Sequence, residues 1–133
     1  MQTVIDFLKT NSAGFLATVE NTEPKVRPFQ FMLEEDGRLY FCTNNQKEVY
    51  RQLLTNPHVE FSSTSPEFAW VRLSGEAAFT DDLEIKAKVL ESHGLVKSIY
   101  QNASNPIFEV FYLKNAAATL ADFSGQPPKT FTL

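Results

Sequence analysis

The chain has 133 residues, of which 43% are hydrophobic and 13% aromatic, and this is enough for one packed domain that spans residues 1–133. Its formal net charge of −4 argues against a nucleic-acid-binding protein, because such proteins usually carry positive charge that replaces phosphate counterions. One cysteine and two distant histidines exclude a disulfide framework and a cysteine-rich zinc site, so we predict a reducing, cytoplasmic setting and no metal ligands. The N-terminus lacks the pattern of a signal peptide, and no apolar run approaches the ~18 residues of a membrane span. We expect a soluble protein that binds neither nucleic acid nor membrane.

The first part of the chain predicts a helix followed by three strands. Val4, Phe7 and Leu8 share one face of a helix, and the polar residues from Asn11 onward end it. Two strand-like runs follow on either side of the turn-forming sequence ENTEP, and the dipeptide Asp36-Gly37 predicts a tight turn before the third run. The predicted elements are a helix over 2–10 and an antiparallel meander over 15–19, 25–33 and 39–43.

The second part predicts two more helices and four more strands. The helices cover 46–55 and 83–93, and the strands cover 58–64, 69–79, 108–114 and 118–123. Pro57 ends the first of these helices, Asp81 and Asp82 are suited to cap the second, and Gly94 is suited to end it. Gly75 is a plausible bulge. Antiparallel meanders of six or seven strands usually close on themselves and remove their edges, so we predict a mainly β fold with three short helices, arranged as a small barrel.

Arg27 has two interpretations on the strand pattern alone. Alternation places it on the same face as Phe29 and Phe31, with Pro28 on the opposite face. It is either a surface residue that lays its stem over Phe29 and keeps its head in water, or a clamp for an anion. A proline inside a strand belongs at an edge or a bulge, where a groove can open, and this favours the clamp slightly.

Residues 39–47 read LYFCTNNQK, a strand that runs into polar residues just where a helix is predicted to begin. We expect Asn44 or Asn45 to cap this helix and Lys47 to lie in its first turn. The ordinary interpretation is a cap followed by a solvated lysine. The functional interpretation is an anion site, because pairing through the hairpin would bring Thr43 within roughly 10 Å of Arg27. A phosphate there would receive the arginine fork, the lysine charge, the threonine hydroxyl and the helix N–H groups.

Several of these segments, taken in order, resemble a known protein family. The order of GFLATV, PKVRPFQF, DGRLYFCTNNQKEVYRQLLTNPHVEF and WVRLSGEA resembles the pyridoxamine 5′-phosphate oxidase-like, FMN-binding split-barrel family, in particular its short, general-stress-protein-like members. The resemblance runs from about Gly14 to Asp122. Its most specific part combines R-P-x-x-F, a strand that ends in T-N with a lysine shortly after, and the N-P-x-V that follows the helix. It implies a split barrel, FMN as cofactor, and a homodimer with two FMN sites at the subunit interface.

The resemblance also implies a set of cofactor-binding residues. They are Arg27, Pro28, Phe29, Thr43, Asn44, Gln46, Lys47 and Trp70. Phosphate would be held by Arg27 and by the segment from Thr43 to Lys47. The backbone around Pro28 and Phe29 would line the flavin ring, and the strand of Trp70 would contribute from the partner subunit. No catalytic side chain is implied.

The chain departs from the full-length oxidases in two places. They usually carry R-K where this chain has Gln46-Lys47, so one phosphate cation is missing and weaker FMN binding is expected. They also use a tryptophan and an arginine in a C-terminal segment to recognise pyridoxal phosphate, whereas this chain has neither residue after Arg72. We therefore do not expect oxidation of pyridoxamine phosphate, and the substrate stays open.

The remaining conspicuous residues have mainly structural interpretations. Trp70 is suited to pack at a dimer interface or against a flavin ring. Cys42 is interpreted as a small buried hydrophobe, and His58 and His93 as structural residues near helix ends.

Three functions remain open on the sequence. The first is an FMN-dependent oxidoreductase, the second a non-catalytic flavin-binding or ligand-sequestering protein, and the third an interaction module whose basic residues are only surface charges. A dimer is expected on separate grounds. Four bulky residues on short strands present more apolar surface than one small core can cover, and uncovered apolar surface usually marks an interface. They are Trp70, Phe108, Phe111 and Tyr112.

Overall fold

The computed structural model describes residues 1–133 and contains seven strands and four helices. The strands are β1 (Ala13–Glu20), β2 (Glu23–Glu35), β3 (Arg38–Asn44), β4 (His58–Thr64), β5 (Trp70–Thr80), β6 (Phe108–Ala121) and β7 (Lys129–Thr132). The helices are α1 (Gln2–Thr10), α2 (Glu48–Thr55), α3 (Leu83–Ser92) and α4 (Gly94–Tyr100). None of the helices is long and apolar enough to cross a membrane.

The strands form one antiparallel sheet that closes into a barrel. Their order is β3-β2-β1-β4-β5-β6-β7, and an additional pairing of β3 with β6 joins the two sides of the first six strands. Strand β7 lies outside this ring and pairs with the second half of β6. Closure leaves few unpaired edges, which is the physical advantage expected of such a sheet. The predicted fold class, mainly β with short helices in a six- to seven-stranded barrel, is confirmed.

The ring of strands is split between β2 and β3. Strand β2 pairs with β1 from Glu23 to Gln30, but with β3 only from Phe31 to Glu35. The end of β3, from Cys42 to Asn44, pairs with β6 alone. The first half of β2 therefore has one free edge. Pro28 lies in this half, as expected for a residue that cannot donate to a ladder.

Aromatic rings fill the barrel around Phe41. This residue is fully buried, and the ring centroids of Phe31, Phe61 and Phe111 lie 5.8, 5.1 and 5.6 Å from its own. Helix α1 adds its three buried residues to the same cluster, namely Val4, Ile5 and Leu8. Burial of one phenylalanine side chain contributes about 1.5–3 kcal/mol, so this cluster is a main source of stability.

A second apolar cluster lies between α3, α4 and the outside of β2, β3 and β6, and it includes Tyr40, Val89 and Phe108. The register of β2 against β3 shifts between Phe31 and Leu33. Phe31 therefore faces the barrel interior, whereas Met32 and Leu33 both contact the second cluster. The strict alternation of side chains predicted through Leu33 fails at this bulge. Because of the bulge, one strand contributes side chains to both apolar clusters.

The C-terminal strands differ from the prediction. Residues 108–114 and 118–123 were expected as two strands, but Phe108–Ala121 is one continuous strand, and β7 was not predicted. Ser74 pairs with Ala117 and Glu76 with Lys114, so that Asn115 and Ala116 stand opposite Gly75 alone. Asn115 has φ of 52°, which lets β6 bend at this bulge and continue. The irregularity predicted at Gly75 is confirmed, but its extra residue lies on β6 and not on β5.

The helices also differ in number and in their ends. Asp82 caps α3 as predicted, because its carboxylate accepts hydrogen bonds from the N–H groups of Glu84 and Ile85. Gly94 does not end this helix; it opens α4, which was not predicted, and His93 joins the two. Short helices such as α4 depend on tertiary packing, here of Tyr100 into the second cluster, and periodicity over seven residues is too weak to reveal them.

Candidate functional site

The guanidinium of Arg27 is held by protein acceptors. Its Nη1 donates to the carbonyl oxygen of Leu16 at 3.1 Å and to Oγ1 of Thr18 at 2.8 Å, and its Nη2 donates to Oε1 of Gln52 at 2.7 Å. The head therefore does not lie free in water, as one interpretation of the sequence required. A guanidinium has five N–H donors, so two remain after these three bonds.

The acceptors of Arg27 belong to a small buried polar network. Oγ1 of Thr18 donates to Oε1 of Gln52 at 2.5 Å, and Nε2 of Gln52 donates to the carboxylate of Glu20 at 3.3 Å. Thr18 and Gln52 are 1% and 4% exposed. Sequence reasoning missed both residues. The sequence pattern that could have revealed them is a polar residue at an inward-facing position of β1, and another beside Val49 and Leu53 on the buried face of α2.

The segment after β3 does not cap α2 in the way that was predicted. Oδ1 of Asn44 accepts the N–H of Gln46 at 3.0 Å, and its Nδ2 donates to the hydroxyl of Tyr100 at 3.0 Å. Asn45 donates to the carboxylate of Glu109 at 2.9 Å. The residue at the N-cap is Lys47, with extended backbone angles and no capping side chain. The prediction of an asparagine cap, and of Lys47 in the first turn, is wrong.

Several groups near the start of α2 lack partners. The Oγ1 of Thr43 is buried and has no hydrogen-bond partner, which is uncommon and costly for a hydroxyl. Lys47 makes no ion pair, whereas Oε1 of the neighbouring Glu48 lies 3.9 Å from Nη2 of Arg51. Burial lowers the pKa of Arg27, and the charge of Glu48 opposes that shift. The bond from its Nη2 to Gln52 places the guanidinium against α2.

Arg27 and Thr43 lie on opposite sides of the split in the barrel. The hairpin was predicted to pair their strands this far, but its ladder ends at Phe31 and Phe41. Phe29 of β2 is half-buried, and its ring centroid lies 6.1 Å from that of Phe41 on β3 and 6.0 Å from that of Phe111 on β6.

Within one chain, Trp70 does not lie at the split between β2 and β3. It begins β5, which is separated from β2 by β1 and β4, and its ring lies 5.0 Å from that of Phe123. The contribution of Trp70 from a partner subunit stays a prediction. The expectation of an uncovered apolar patch is wrong for two other bulky residues. Phe108 and Phe111 are fully buried inside the chain, so they cannot belong to an uncovered apolar patch.

The lone thiol is not arranged for redox chemistry. Burial raises the pKa of Cys42 to about 12, with the charge of Lys47 opposing that shift, so the thiol stays protonated at neutral pH. No group of three or more His, Cys, Asp or Glu side chains is placed to hold a metal ion.

Two cavities are lined by none of the predicted cofactor residues. One, of about 440 Å³, lies between α1 and residues 120–129. The other, of about 480 Å³, lies between the β1–β2 hairpin and α2 and is lined in part by Gln52.

Comparison with known proteins agrees with this fold. The family model described as pyridoxamine 5′-phosphate oxidase matches residues 1–121. No curated protein gives a significant sequence match. A NimC/NimA family protein from Clostridium acetobutylicum is 37% identical, with a TM-score of 0.92, over 100% of this chain and 92% of that one.

Two more distant structures share the fold. General Stress Protein 26 from Bacillus anthracis is 21% identical over 98% of this chain and 95% of its own, with a TM-score of 0.79. A pyridoxamine 5′-phosphate oxidase-related, FMN-binding protein from Nostoc punctiforme is 17% identical over 97% and 87%, with a TM-score of 0.74. The family model covers most of the chain, and the chain therefore belongs to the pyridoxamine 5′-phosphate oxidase family.

Proposed function

We propose that this protein binds FMN and is an FMN-dependent oxidoreductase. The observation that carries the proposal is the buried, unpartnered hydroxyl of Thr43 near the uncapped start of α2. An uncapped helix start favours an anion, and a hydroxyl near it that has no protein partner can donate to that anion. The Nostoc punctiforme protein described as FMN-binding, which has the same fold, supports FMN as the ligand.

The residues around the split fit a phosphate monoester. Arg27 has two unused N–H donors, Lys47 has an unpaired charge, and Thr43 has a free hydroxyl. Gln46 is exposed, and Asn44 shapes the turn before α2 through its bond to the N–H of Gln46. We assign the phosphate of FMN to this set, and the flavin ring to the backbone around Pro28 and Phe29.

Bound FMN would supply the redox chemistry, and the side chains of this protein bind and shield it. Phe29 and the rings packed against it would keep water from one side of the proposed flavin site. Genuine oxidation of pyridoxamine phosphate is not proposed, because no tryptophan or arginine follows Arg72.

We further propose a homodimer with FMN at the interface and Trp70 supplied by the partner. Support comes from the outer face of β1 and β2, where apolar residues stand opposite one another in the ladder. Phe15 pairs with Pro28 and Ala17 with Val26, and Phe15 and Val26 are 57% and 68% exposed. An apolar sheet face of this kind usually marks an interface.

The absorbance spectrum of freshly purified protein tests the cofactor, followed by titration with FMN and with riboflavin. We expect a yellow protein, or a colourless one that takes up FMN more tightly than riboflavin. A protein that takes up neither flavin contradicts the proposal.

A second candidate is a flavin-binding or ligand-sequestering protein without turnover. It is favoured by the lack of recognisable substrate-recognition residues, since no tryptophan or arginine follows Arg72. Mixing the FMN-loaded protein with NADH or NADPH separates the two. Rapid bleaching followed by reoxidation by an added acceptor supports the oxidoreductase, and a flavin that stays oxidised supports sequestration.

A further inference from the structure

Thr18 and Gln52 place polar groups where the surrounding packing is apolar. Gln52 lies between Val49 and Leu53 on the buried face of α2, and Thr18 follows the buried Leu16 on the inward face of β1. Burying an amide and a hydroxyl costs free energy unless their hydrogen bonds are satisfied. Here their shared partner is Arg27, so the network is organised around the guanidinium.

The network fixes the orientation of the Gln52 amide. Its nitrogen donates to the carboxylate of Glu20, which can only accept, so its oxygen is turned toward Thr18 and Arg27. The hydroxyl of Thr18 donates to that oxygen and accepts from Nη1 of Arg27. The hydroxyl of Thr18 and the amide oxygen of Gln52 therefore have one orientation in which these bonds are all made.

The same bonds determine which part of Arg27 stays available. Both hydrogens of Nη1 are used, one by the carbonyl of Leu16 and one by Thr18, and one hydrogen of Nη2 is used by Gln52. The unused donors are the Nε hydrogen and the second hydrogen of Nη2. Two donors on neighbouring nitrogens form a fork that matches two oxygens of one phosphate or carboxylate group.

We infer that Gln52 and Thr18 are positioning residues that hold Arg27 with a single fork turned outward for one phosphate group. The inference rests on the proposed FMN site and adds to it. Neither residue touches the phosphate. They act through Arg27, by removing the alternative orientations that a free arginine side chain would otherwise sample.

The test compares affinities for FMN and riboflavin, measured by flavin fluorescence on the full chain freed of bound flavin. Gln52→Met and Thr18→Val remove the polar atoms with little change in volume. We expect each to weaken FMN binding about tenfold and to leave riboflavin binding unchanged. Ser63→Ala is the matched control, because it removes a buried hydroxyl that has no partner, and it should change neither affinity.

A double-mutant cycle separates positioning from a general structural effect. In the Arg27→Ala background, Gln52→Met should cause no further loss of FMN affinity. Equal losses for both flavins, or an undiminished loss in that background, would overturn the inference, as would a Gln52→Met protein with the wild-type preference for FMN. If Gln52→Met does not fold, Thr18→Val makes the same comparison.

These outcomes are distinct from failure of the proposed function. A wild-type chain that binds FMN no better than riboflavin contradicts the phosphate site itself. A wild-type chain that prefers FMN and loses this preference on Arg27→Ala, but keeps it on Gln52→Met and Thr18→Val, contradicts only the positioning role.

Discussion

Arg27 and Lys47 should contribute unequally to FMN binding. Arg27→Ala removes two charge-assisted hydrogen bonds and should cost ~2–4 kcal/mol of binding free energy, whereas Lys47→Ala removes one exposed point charge and should cost about half as much. Titration of each variant with FMN and with riboflavin measures both losses. They should nearly vanish for riboflavin, and equal weakening for both ligands would show that these residues do not contact phosphate.

Glu48 places a negative charge close to the proposed phosphate. It lies in the first turn of α2 and interacts with Arg27, so it competes with an incoming anion. Glu48→Gln should therefore strengthen FMN binding by about two- to fivefold, a modest effect because the side chain is exposed. Glu84→Gln, in the first turn of α3, is the control. A gain that persists unchanged in high salt would argue against this electrostatic origin.

Cys42 should react with alkylating reagents only when the chain unfolds. A pKa near 12 leaves about a thousandfold less thiolate at pH 8 than the ordinary value of 9 would. Iodoacetamide labelling followed by mass spectrometry, with and without denaturant, measures the difference. Fast labelling of the folded protein would show that the thiol is not held in its buried, protonated state.

Part of the candidate site could be predicted from the sequence and part could not. Arg27, Thr43 and Lys47 were proposed from local patterns, namely strand alternation and the T-N-x-x-K spacing, and their role in binding stays a prediction. Gln52 was missed because its role depends on the packing of α2 against Thr18, which local patterns do not specify. The asparagine cap was wrong because Asn45 bonds to Glu109, a residue far along the chain.

At the scale of the elements, β1 and β4 approach one another closely at Gly14. A Cβ added there would lie 2.2 Å from the carbonyl oxygen of Ser62, so the strands would have to separate. Gly14→Ala should lower the free energy of unfolding by roughly 2–4 kcal/mol. Gly94→Ala is the matched control, because its Cβ meets nothing within 4 Å at the start of α4. Urea denaturation of both variants measures the effect, and similar stabilities would contradict the close approach.

The elements that the sequence predicted correctly have strong local signals. Helix α1 has an apolar face, the meander has a turn at Asp36-Gly37 in which both residues have positive φ, and α3 has the cap at Asp82. The failures are where tertiary structure decides. Strand β6 continues through Asn115 because Gly75 lies opposite the bulge. Residues 129–132 form β7 because the second half of β6 offers them a free backbone edge. The four residues of β7 are too few for their own sequence to predict a strand.

For the whole molecule, the apolar outer face of β1 and β2 predicts that assembly and FMN binding are linked. Val26→Asp should shift the protein toward monomer and weaken FMN binding. Leu95→Asp, at an equally exposed position on α4, should do neither. Sedimentation across a dilution series, with and without FMN, measures the linkage. A ligand that contacts both chains should stabilise the dimer by roughly 2.7 kcal/mol at 100 times its Kd. A Val26→Asp monomer with full FMN affinity would contradict a site at the interface.

The closure of the barrel by β3 and β6 also has a consequence for biosynthesis. These strands are joined by residues 45–107, so a chain emerging from a ribosome exposes the edge of β3 until β6 has been made. Contacts between such distant segments form slowly, and unpaired strand edges attract other chains. Refolding should therefore be slower than for a helical protein of equal length. A chain that stops before Phe108 should aggregate instead of accumulating as a partly folded monomer.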